Sequence, residues 1–493
     1  MEVADSPLPN HEPRKLYQRV GLFIAPAVFV MMLFVANVQN FMPEMAWKVA
    51  AVALWMGIWW STEAIPVPAT AFLPLVTFEL LGISSLSTAA ESYAHPTIYL
   101  FFGAFVLALS VERWGLHKRF ALFILTKTGT DGSRLTLGFM GVAALLSMWM
   151  TNTSTTMMLL PIAVSVAKVI SDNISDVSQQ DKQNFQKVLL LGLAYAATIG
   201  GLSTLIGTPP NVLLAGFLSD QYGIEIGFLN WMLVGVPVSL ILLPVAWLVL
   251  AKLVFKFSIP ETPASRKHLT RLKQELGAIT KPEKRVAIIF LVVVFLWMFR
   301  RIISDVTGIA GLSDTGIVMT AAVLLFLMPS GRRGQNLMEW QDVARLPWGV
   351  LILFGGGLSL ANAVSDSGLA LWLGESLTPL SDMGVIAVVI AAAGLVIFLT
   401  ELTSNLATAA TFLPVIGAIA SQSGIDVMTL SVPVALAASC AFMLPVATPP
   451  NAIVYSSGFI NIPDMVRAGV YLNIISMALL TVVAIWIVPL VLG

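Results

Sequence analysis

Long apolar runs, separated by short polar stretches, occupy most of this chain. They fall at about 20–37, 45–60, 64–83, 98–112, 135–168, 188–218, 229–255, 286–299, 308–328, 348–379, 384–421, 429–458 and 468–492. An apolar run of about 17–25 residues is long enough to cross a bilayer as a helix. A barrel strand would instead alternate apolar and polar residues over about ten positions, and no such alternation is present. The pattern predicts an all-α polytopic membrane protein with about eleven crossings and additional re-entrant pieces. The run beginning at Val20 follows a polar arm with no small-residue cleavage site after it, so it reads as a retained first span.

Charge then orients the spans. The stretch 252–285 carries Lys252, Lys256, Arg266, Lys267, Arg271, Lys273, Lys281, Lys284 and Arg285 and is the longest polar loop. Basic loops stay on the cytoplasmic side, which places this loop there, together with the arm bearing Arg14, Lys15 and Arg19 and the stretch 113–134. The segments 84–97, 217–227 and 421–428 hold no Lys or Arg and read as external. The resulting division is a cytoplasmic N-terminal arm (1–19), N-terminal scaffold helices (20–90), a first repeat (91–251), a cytoplasmic basic linker (252–285) and a second repeat (286–493). The expected location is the inner membrane, with a cytoplasmic N-terminus.

The repeat is visible directly. LFFGAFVLALSVERWGL (100–116) matches LFGGGLSLANAVSDSGL (353–369), and MWMTNTSTTMMLLP (148–161) matches ELTSNLATAATFLP (401–414). IGTPPNVLLAG (206–216) matches VATPPNAIVYSSG (446–458). Each half therefore holds a glycine-rich hairpin candidate, a Thr/Ser-Asn helix interruption and a Thr-Pro-Pro-Asn break, in that order. Adjacent prolines remove amide donors and stop helices, and in hydrocarbon the freed backbone groups need partners. One such interruption is a kink or a packing contact. Paired interruptions in two halves point to a transporter's midplane site. Helix N-terminal amides there attract anions, while carbonyls and hydroxyls suit a small hard cation. Two facing half-sites suit a solute with two negative ends. The Thr/Ser-Asn and Thr-Pro-Pro-Asn motifs have no Lys or Arg among them. A fixed cation would be left buried and unpaired in the empty carrier, whereas neutral donors plus a mobile sodium ion avoid that cost.

Composition narrows the class further. The 493 residues are 57% hydrophobic and 11% charged, against about 25% charged in soluble domains, and mean hydropathy is +0.87. The 27 basic and 27 acidic residues balance, which gives no reason to expect a nucleic-acid partner. Cys440 is the single cysteine, so no internal disulfide forms, and its apolar surroundings suggest a packing residue in a helix. His11, His95, His117 and His268 share no metal-ligand spacing, and there is no phosphate-binding loop and no nucleophile elbow. These absences argue against an ATP-driven pump or an enzyme. A symporter, a sodium-independent exchanger and, more weakly, a channel are left.

On WWSTEAIP (59–66), LSMWMTNTSTTMMLLP (146–161), GTPPN (207–211), LFGGGLSL (353–360), TSNLATAATFLP (403–414) and LPVATPPNAIV (444–454), the chain resembles the divalent anion/sodium symporter family, the INDY-like dicarboxylate carriers. The resemblance runs from about residue 45 to the C-terminus. It implies a homodimer with scaffold and transport domains, inverted repeats each with a re-entrant hairpin and a broken helix, and elevator-type movement. It implies two co-transported sodium ions, one at Ser147, Thr151, Asn152 and the Gly207 carbonyl, the other at Thr400, Thr403, Asn405 and the Ala447 carbonyl. It places one substrate carboxylate at Asn152, Thr153 and Thr208 and the other at Ser404 and Asn405, with Thr448 and Pro449 lining the pocket. The expected cargo is a C4-dicarboxylate such as succinate, malate or fumarate, with sulfate or citrate as alternatives. One departure bears on the cargo. The second motif ends in Leu406, where the family expects a threonine. Leucine cannot donate, so a contact of roughly 1.5–3 kcal/mol to the second anionic end would be missing, which favours a smaller dianion such as sulfate, or a dicarboxylate held differently.

Glu401 and Glu63 are intramembrane carboxylates and so functional candidates, with structural pairing the favoured reading of both. Arg300 and Arg301 end an apolar span and read as interface anchors. Trp55, Trp59 and Trp60 read as packing or an interface belt.

Overall fold

The computed structural model describes residues 14–492 except 37, 174–176, 262, 310 and 378–383. Residues 1–13 of the expected N-terminal arm therefore lie outside the described residues. Among those described, eight helices are long and apolar enough to cross a membrane: Leu16–Val35, Leu86–Arg113, Asn152–Asp172, Phe228–Val254, Lys281–Thr307, Trp348–Asp366, Asn405–Ser423 and Ile462–Val491. Shorter apolar helices, among them Gly132–Ser147, Val385–Thr400 and Val427–Ala438, fall below that length. Each of these three stops where the chain is interrupted, at Met148–Thr151, at Glu401–Ser404 and after Ala438. The backbone breaks shorten the helices, and this accounts for fewer full-length spans than apolarity alone predicts.

Each half runs through the same order of elements. The first has Pro96–Arg113, Leu116–Leu125, Gly132–Ser147, Asn152–Asn173, Gln179–Gly201, Pro209–Tyr222 and Phe228–Leu248. The second has Trp348–Asp366, Leu369–Leu377, Val385–Thr400, Asn405–Ser423, Val427–Ala438, Pro449–Tyr455 and Ile462–Val482. Both closing helices continue into a turn of wider pitch, Val249–Val254 and Val483–Ile487.

The hairpins lie elsewhere than glycine content suggests. The glycine-rich segments are span-length helices, each followed by a short one. Their glycines serve close packing: an added Cβ would stand 2.3 Å from the Tyr93 ring at Gly355, 2.4 Å from the Ala71 carbonyl at Gly356 and 2.8 Å from Val318 at Gly103. The hairpins are instead formed at the Thr/Ser-Asn motifs. Gly200 lies against Ala144 and Gly192 against Met140 and Thr136, so Gly132–Ser147 runs parallel to Gln179–Gly201. Asn152–Asn173 must return between them, which makes Met148–Thr151 a hairpin tip. In the second half Thr400 reaches Ala438 O (2.8 Å), and Val427–Ala438 packs along both Val385–Thr400 and Asn405–Ser423.

Gly200 supplies a direct test of this arrangement. Its Cβ would stand 2.3 Å from Ala144 O and 2.4 Å from Ala144 Cα, and backbone cannot rotate away. Gly200→Ala is expected to destabilise the purified protein by about 1–3 kcal/mol, the usual cost of overpacking, read as a lower Tm; an unchanged Tm would contradict the contact.

The halves cross over. Pro449–Tyr455 packs against Asn152–Asn173 and Gln179–Gly201, while Pro209–Tyr222 packs against Asn405–Ser423 and Val427–Ala438. Around these elements, Asp314–Leu327 packs on Pro96–Arg113, and Trp348–Asp366 packs on the N-terminal helices Glu44–Thr62 and Val67–Thr70. The basic segment after Val254 is docked rather than free. Its helix Pro263–Glu275 packs on Asn152–Asn173 and Leu116–Leu125, Ser165 Oγ meets His268 Nε2 at 2.8 Å, and Arg119 binds Gly277 O (2.9 Å) and the Glu283 carboxylate (3.0 Å).

Three charged residues resolve here. Arg300 pairs with the buried Asp314 (3.1 Å), whose other oxygen accepts from Phe228 N (3.0 Å), and so ties helices together at the end of its span. Glu63 ends Glu44–Thr62 in the left-handed region (φ 48°). Arg113, at the end of Pro96–Arg113, pairs with Asp342.

Candidate functional site

Each half-site is built where a hairpin tip meets a broken helix. In the first, Ser147 Oγ donates to Asn152 Oδ1 (2.5 Å). Across from it the chain leaves helix at Gly201 and resumes it at Pro209. A Cβ on Gly201 would stand 2.7 Å from Asn152 Oδ1 and 3.0 Å from Gly207 O. Those two oxygens therefore converge on one small space, which exists because residue 201 has no side chain. Hydroxyl, amide and carbonyl oxygens are hard donors, the kind that hold small cations.

The second half-site repeats the pattern. Thr400 Oγ1 lies 3.0 Å from Asn405 Oδ1 and shares its proton between that oxygen and Ala438 O, the counterpart of the Ser147 bond five residues apart. The Pro-Pro-Asn asparagines repeat as well. Asn211 Nδ2 donates to Thr204 O (2.8 Å) and Gly201 O (3.3 Å), and Asn451 Nδ2 donates to Leu444 O (3.1 Å) and Ala441 O (3.2 Å). Each amide gathers the loose carbonyls of its own break, which otherwise have no helical partner. The Oδ1 atom of each is buried without a partner. Motif spacing marked both asparagines, but their work as staples appears only once the loops fold over them.

The halves meet between the breaks. Thr208 Oγ1 and Ser439 Oγ lie 3.2 Å apart, and Tyr195 Oη donates to Phe442 O (2.7 Å). Ser439, Tyr195 and Gly201 carried no recognisable sequence signal. Cys440 lies in the second break, just past the end of Val427–Ala438, rather than inside a helix.

The expected site residues separate into two groups. Asn152, Thr153, Ser404 and Asn405 are half-buried at the tips. Of these, Thr153 and Ser404 have hydroxyls with no side-chain hydrogen bond among the described residues, and the Asn152 and Asn405 Nδ2 groups are likewise uncommitted donors there. Their neighbours are engaged in the scaffold of the site. Thr151 Oγ1 accepts from Ser154 N (3.2 Å), and Thr448 Oγ1 accepts from Asn451 N (3.3 Å). Thr403 Oγ1 bonds Thr408 Oγ1 and Leu399 O, so its hydroxyl is turned into its own helix pair. Ala447 is buried beside Thr448, and Pro449 is exposed at the start of its helix. Leu406 is 4% exposed and belongs to the apolar core.

Glu401, in the second tip, binds the second break. Its Oε1 accepts from Phe442 N (2.7 Å), Met443 N (2.9 Å) and Asn473 Nδ2 (2.8 Å), and Oε2 accepts from Leu444 N (3.0 Å). Among the described residues, no Lys or Arg hydrogen-bonds to either tip or either break.

Two hairpin tips set against two interrupted helices, inside a bundle of span-length apolar helices, define a multi-pass membrane carrier. The chain belongs to the family described as the sodium:sulfate symporter transmembrane region, whose model matches residues 17–492. It is 39% identical to the sodium-dependent dicarboxylate transporter SdcS of Staphylococcus saprophyticus, over 98% of this chain and 94% of the relative. It is 40% identical to the protein of the same description from Staphylococcus aureus, over 98% of this chain and 93% of that one. In fold it is similar to the YdaH transporter of Alcanivorax borkumensis, described as having an unusual topology, with a TM-score of 0.54 at 11% identity over 80% of this chain and 85% of that one.

Proposed function

We propose that this protein imports a small divalent anion, a C4-dicarboxylate in the first place, together with sodium. The convergence of Asn152 Oδ1 and Gly207 O on the space above Gly201 carries the proposal, because it provides a cation cradle next to uncommitted anion donors. The description of relatives about 40% identical over nearly the whole chain supports the same cargo. In this reading one sodium ion is held by Ser147, Thr151, Asn152 and Gly207, and the other by Thr400, Asn405 and Ala447, while Thr403, the remaining expected ligand, has its hydroxyl committed to Leu399 O and Thr408 and braces the tip instead. Asn152, Thr153 and Thr208 take one substrate carboxylate, and Ser404 and Asn405 take the other.

Neutral donors explain the coupling. A dianion facing amides and hydroxyls alone keeps its charge uncompensated in low dielectric, where charges are costly. Sodium at each half-site neutralises it, so the loaded site moves as a unit. We place the hairpins and broken helices in a transport domain that moves elevator-fashion against scaffold helices, in a homodimer in the cell membrane, with the 252–285 loop and the N-terminus on the cytoplasmic side.

Purified protein in proteoliposomes tests the reading. Uptake of labelled succinate is expected to saturate and to require inward sodium, with malate and fumarate competing. Equal rates after replacement of all sodium by choline would sink it. Sulfate and citrate form the comparison arm, since the family description names sulfate; sulfate outcompeting succinate would move the cargo to the smaller dianion. A pH series between about 4 and 6, where carboxyl groups titrate, reads the ionic form carried: preference for the dianion predicts uptake rising with pH.

A further inference from the structure

Two lysines from separate segments converge on one exposed ring far from the half-sites. We infer that Leu116–Leu125 and Pro263–Glu275 together form a binding site for an anionic phospholipid. Its phosphate lies between Lys127 and Lys273, and its acyl chains lie along Phe120 and Phe123. The site is separate from the cargo and the sodium ions.

One part of the site is apolar. Leu116–Leu125 buries His117, Ala121, Leu122 and Leu125. Phe120 and Phe123, one turn apart, are 43% and 45% exposed. The helix directly follows the span-length helix that ends at Arg113, which sets it at the edge of the apolar region. A helix with aromatic residues on one face and lysines beside them lies in the interface of a bilayer. The other part is charge. Lys127 Nζ lies 4.1 Å from the centre of the Phe123 ring, and Lys273 Nζ lies 5.5 Å from the same ring. Both lysines are exposed. The carboxylates near them along the chain are already engaged: Asp131 pairs with Arg134 (3.3 Å) and Glu275 with Arg271 (2.9 Å). Glu283, past the end of the linker helix, pairs with Arg119 (3.0 Å). Among the described residues, neither lysine has a carboxylate partner. The ring face holds the two ammonium groups but carries no counter-charge.

Only one class of ligand uses both parts. A soluble anion would take the lysines and leave the phenylalanines in contact with water. An uncharged lipid would cover the phenylalanines and leave the lysines without a counter-charge. A phosphodiester bearing acyl chains does both, since its oxygens form charge-assisted hydrogen bonds with ammonium groups. The cytoplasmic leaflet, where we place the basic segment, is rich in anionic lipid. The bound lipid would bridge two helices, and Pro263–Glu275 also packs on Asn152–Asn173, the helix that begins at Asn152. Occupancy therefore fastens the linker helix in the place where it supports the first half-site.

Thermal unfolding of the full-length protein in detergent tests the site, with phosphatidylglycerol or phosphatidylcholine of the same acyl chains added. Phosphatidylglycerol is expected to raise Tm by about 2 °C or more above the phosphatidylcholine value, as a ligand that binds only the folded state does. Lys127→Gln combined with Lys273→Gln is expected to abolish that difference and to leave the response to phosphatidylcholine as in wild type. Lys281→Gln combined with Lys284→Gln removes the same charge elsewhere in the basic segment and is expected to keep the difference. Equal stabilisation of the wild type by the two lipids overturns the inference. Equal loss in the two double variants overturns it too, because general surface charge would then be responsible. Glycerol 3-phosphate supplies the phosphate without the chains; a matching rise in Tm from it would mean a soluble-anion site and reject the lipid. If the variant at Lys127 and Lys273 does not fold, Lys273→Gln alone decides: a smaller difference between the lipids supports the site, and an unchanged one overturns it.

Discussion

Asn152→Ala is expected to lower succinate uptake by about a hundredfold or more at sub-saturating substrate. The substitution removes two functions at once. Asn152 Oδ1, oriented by Ser147 Oγ at 2.5 Å, is lost from the cation cradle, and Nδ2 is lost from the donors facing the anion. A hydrogen bond to a charged group is worth about 1.5–3 kcal/mol, and two such losses exceed the roughly 2.8 kcal/mol that corresponds to a hundredfold change. Damage to the fold is expected to be small, because the side chain is half-buried and its bonds are confined to the tip. Initial rates at equal incorporated protein make the measurement. A rate within a few-fold of wild type would remove Asn152 from the site. Asn405→Ala should behave alike, since Asn405 stands in the same relation to Thr400.

Gly201→Ala is the second large effect expected, and it is specific to sodium. The added methyl would occupy the place 2.7 Å from Asn152 Oδ1 and 3.0 Å from Gly207 O. Calcium, close to sodium in size, takes its oxygens at about 2.3–2.6 Å, so ion and methyl compete for one space. Half-saturating sodium is expected to rise by about tenfold or more, as loss of one ligand set from a site implies, while residual uptake at high sodium keeps its substrate selectivity. The second half has Ala441 at the matching place, so the variant asks whether the additional room in the first half is used. Unchanged sodium activation would show that the cradle is vacant in the working carrier.

The two predictions draw on different kinds of information. Asn152 and Asn405 were legible in the chain because a polar Ser/Thr-Asn cluster inside an apolar run is a local anomaly. The two Thr-Pro-Pro-Asn breaks were legible for the same reason, and the repetition of both motifs in one order marked them as a site. Gly201 was not legible. Its significance is that it faces Asn152 and the Gly207 carbonyl, and nothing in a Gly-Gly pair at a helix end distinguishes that from ordinary close packing. Glycine misled elsewhere too. The segments around Gly103 and Gly355 suggested turns, whereas the structure uses those glycines to bring a helix against Val318, Tyr93 and Ala71. Glycine permits both outcomes, and only the neighbours select one.

Long-range polar partners were equally hidden. Glu401 could be recognised as an intramembrane carboxylate, but its acceptor role depends on amides 41–43 residues away and on Asn473, 72 residues away. Arg300 read from the chain as an interface anchor, and its pairing with Asp314 at 3.1 Å could not be read there.

The chain alone determined that this protein lives in a bilayer, that it is built twice over, and where its helices must break, since apolar length, repetition and proline chemistry are local properties. Tertiary structure decided which breaks become hairpin tips, which loop closes on which tip, and which of the halves carries a buried charge. Those choices depend on helices approaching one another, and the distances that set them belong to no single stretch of sequence.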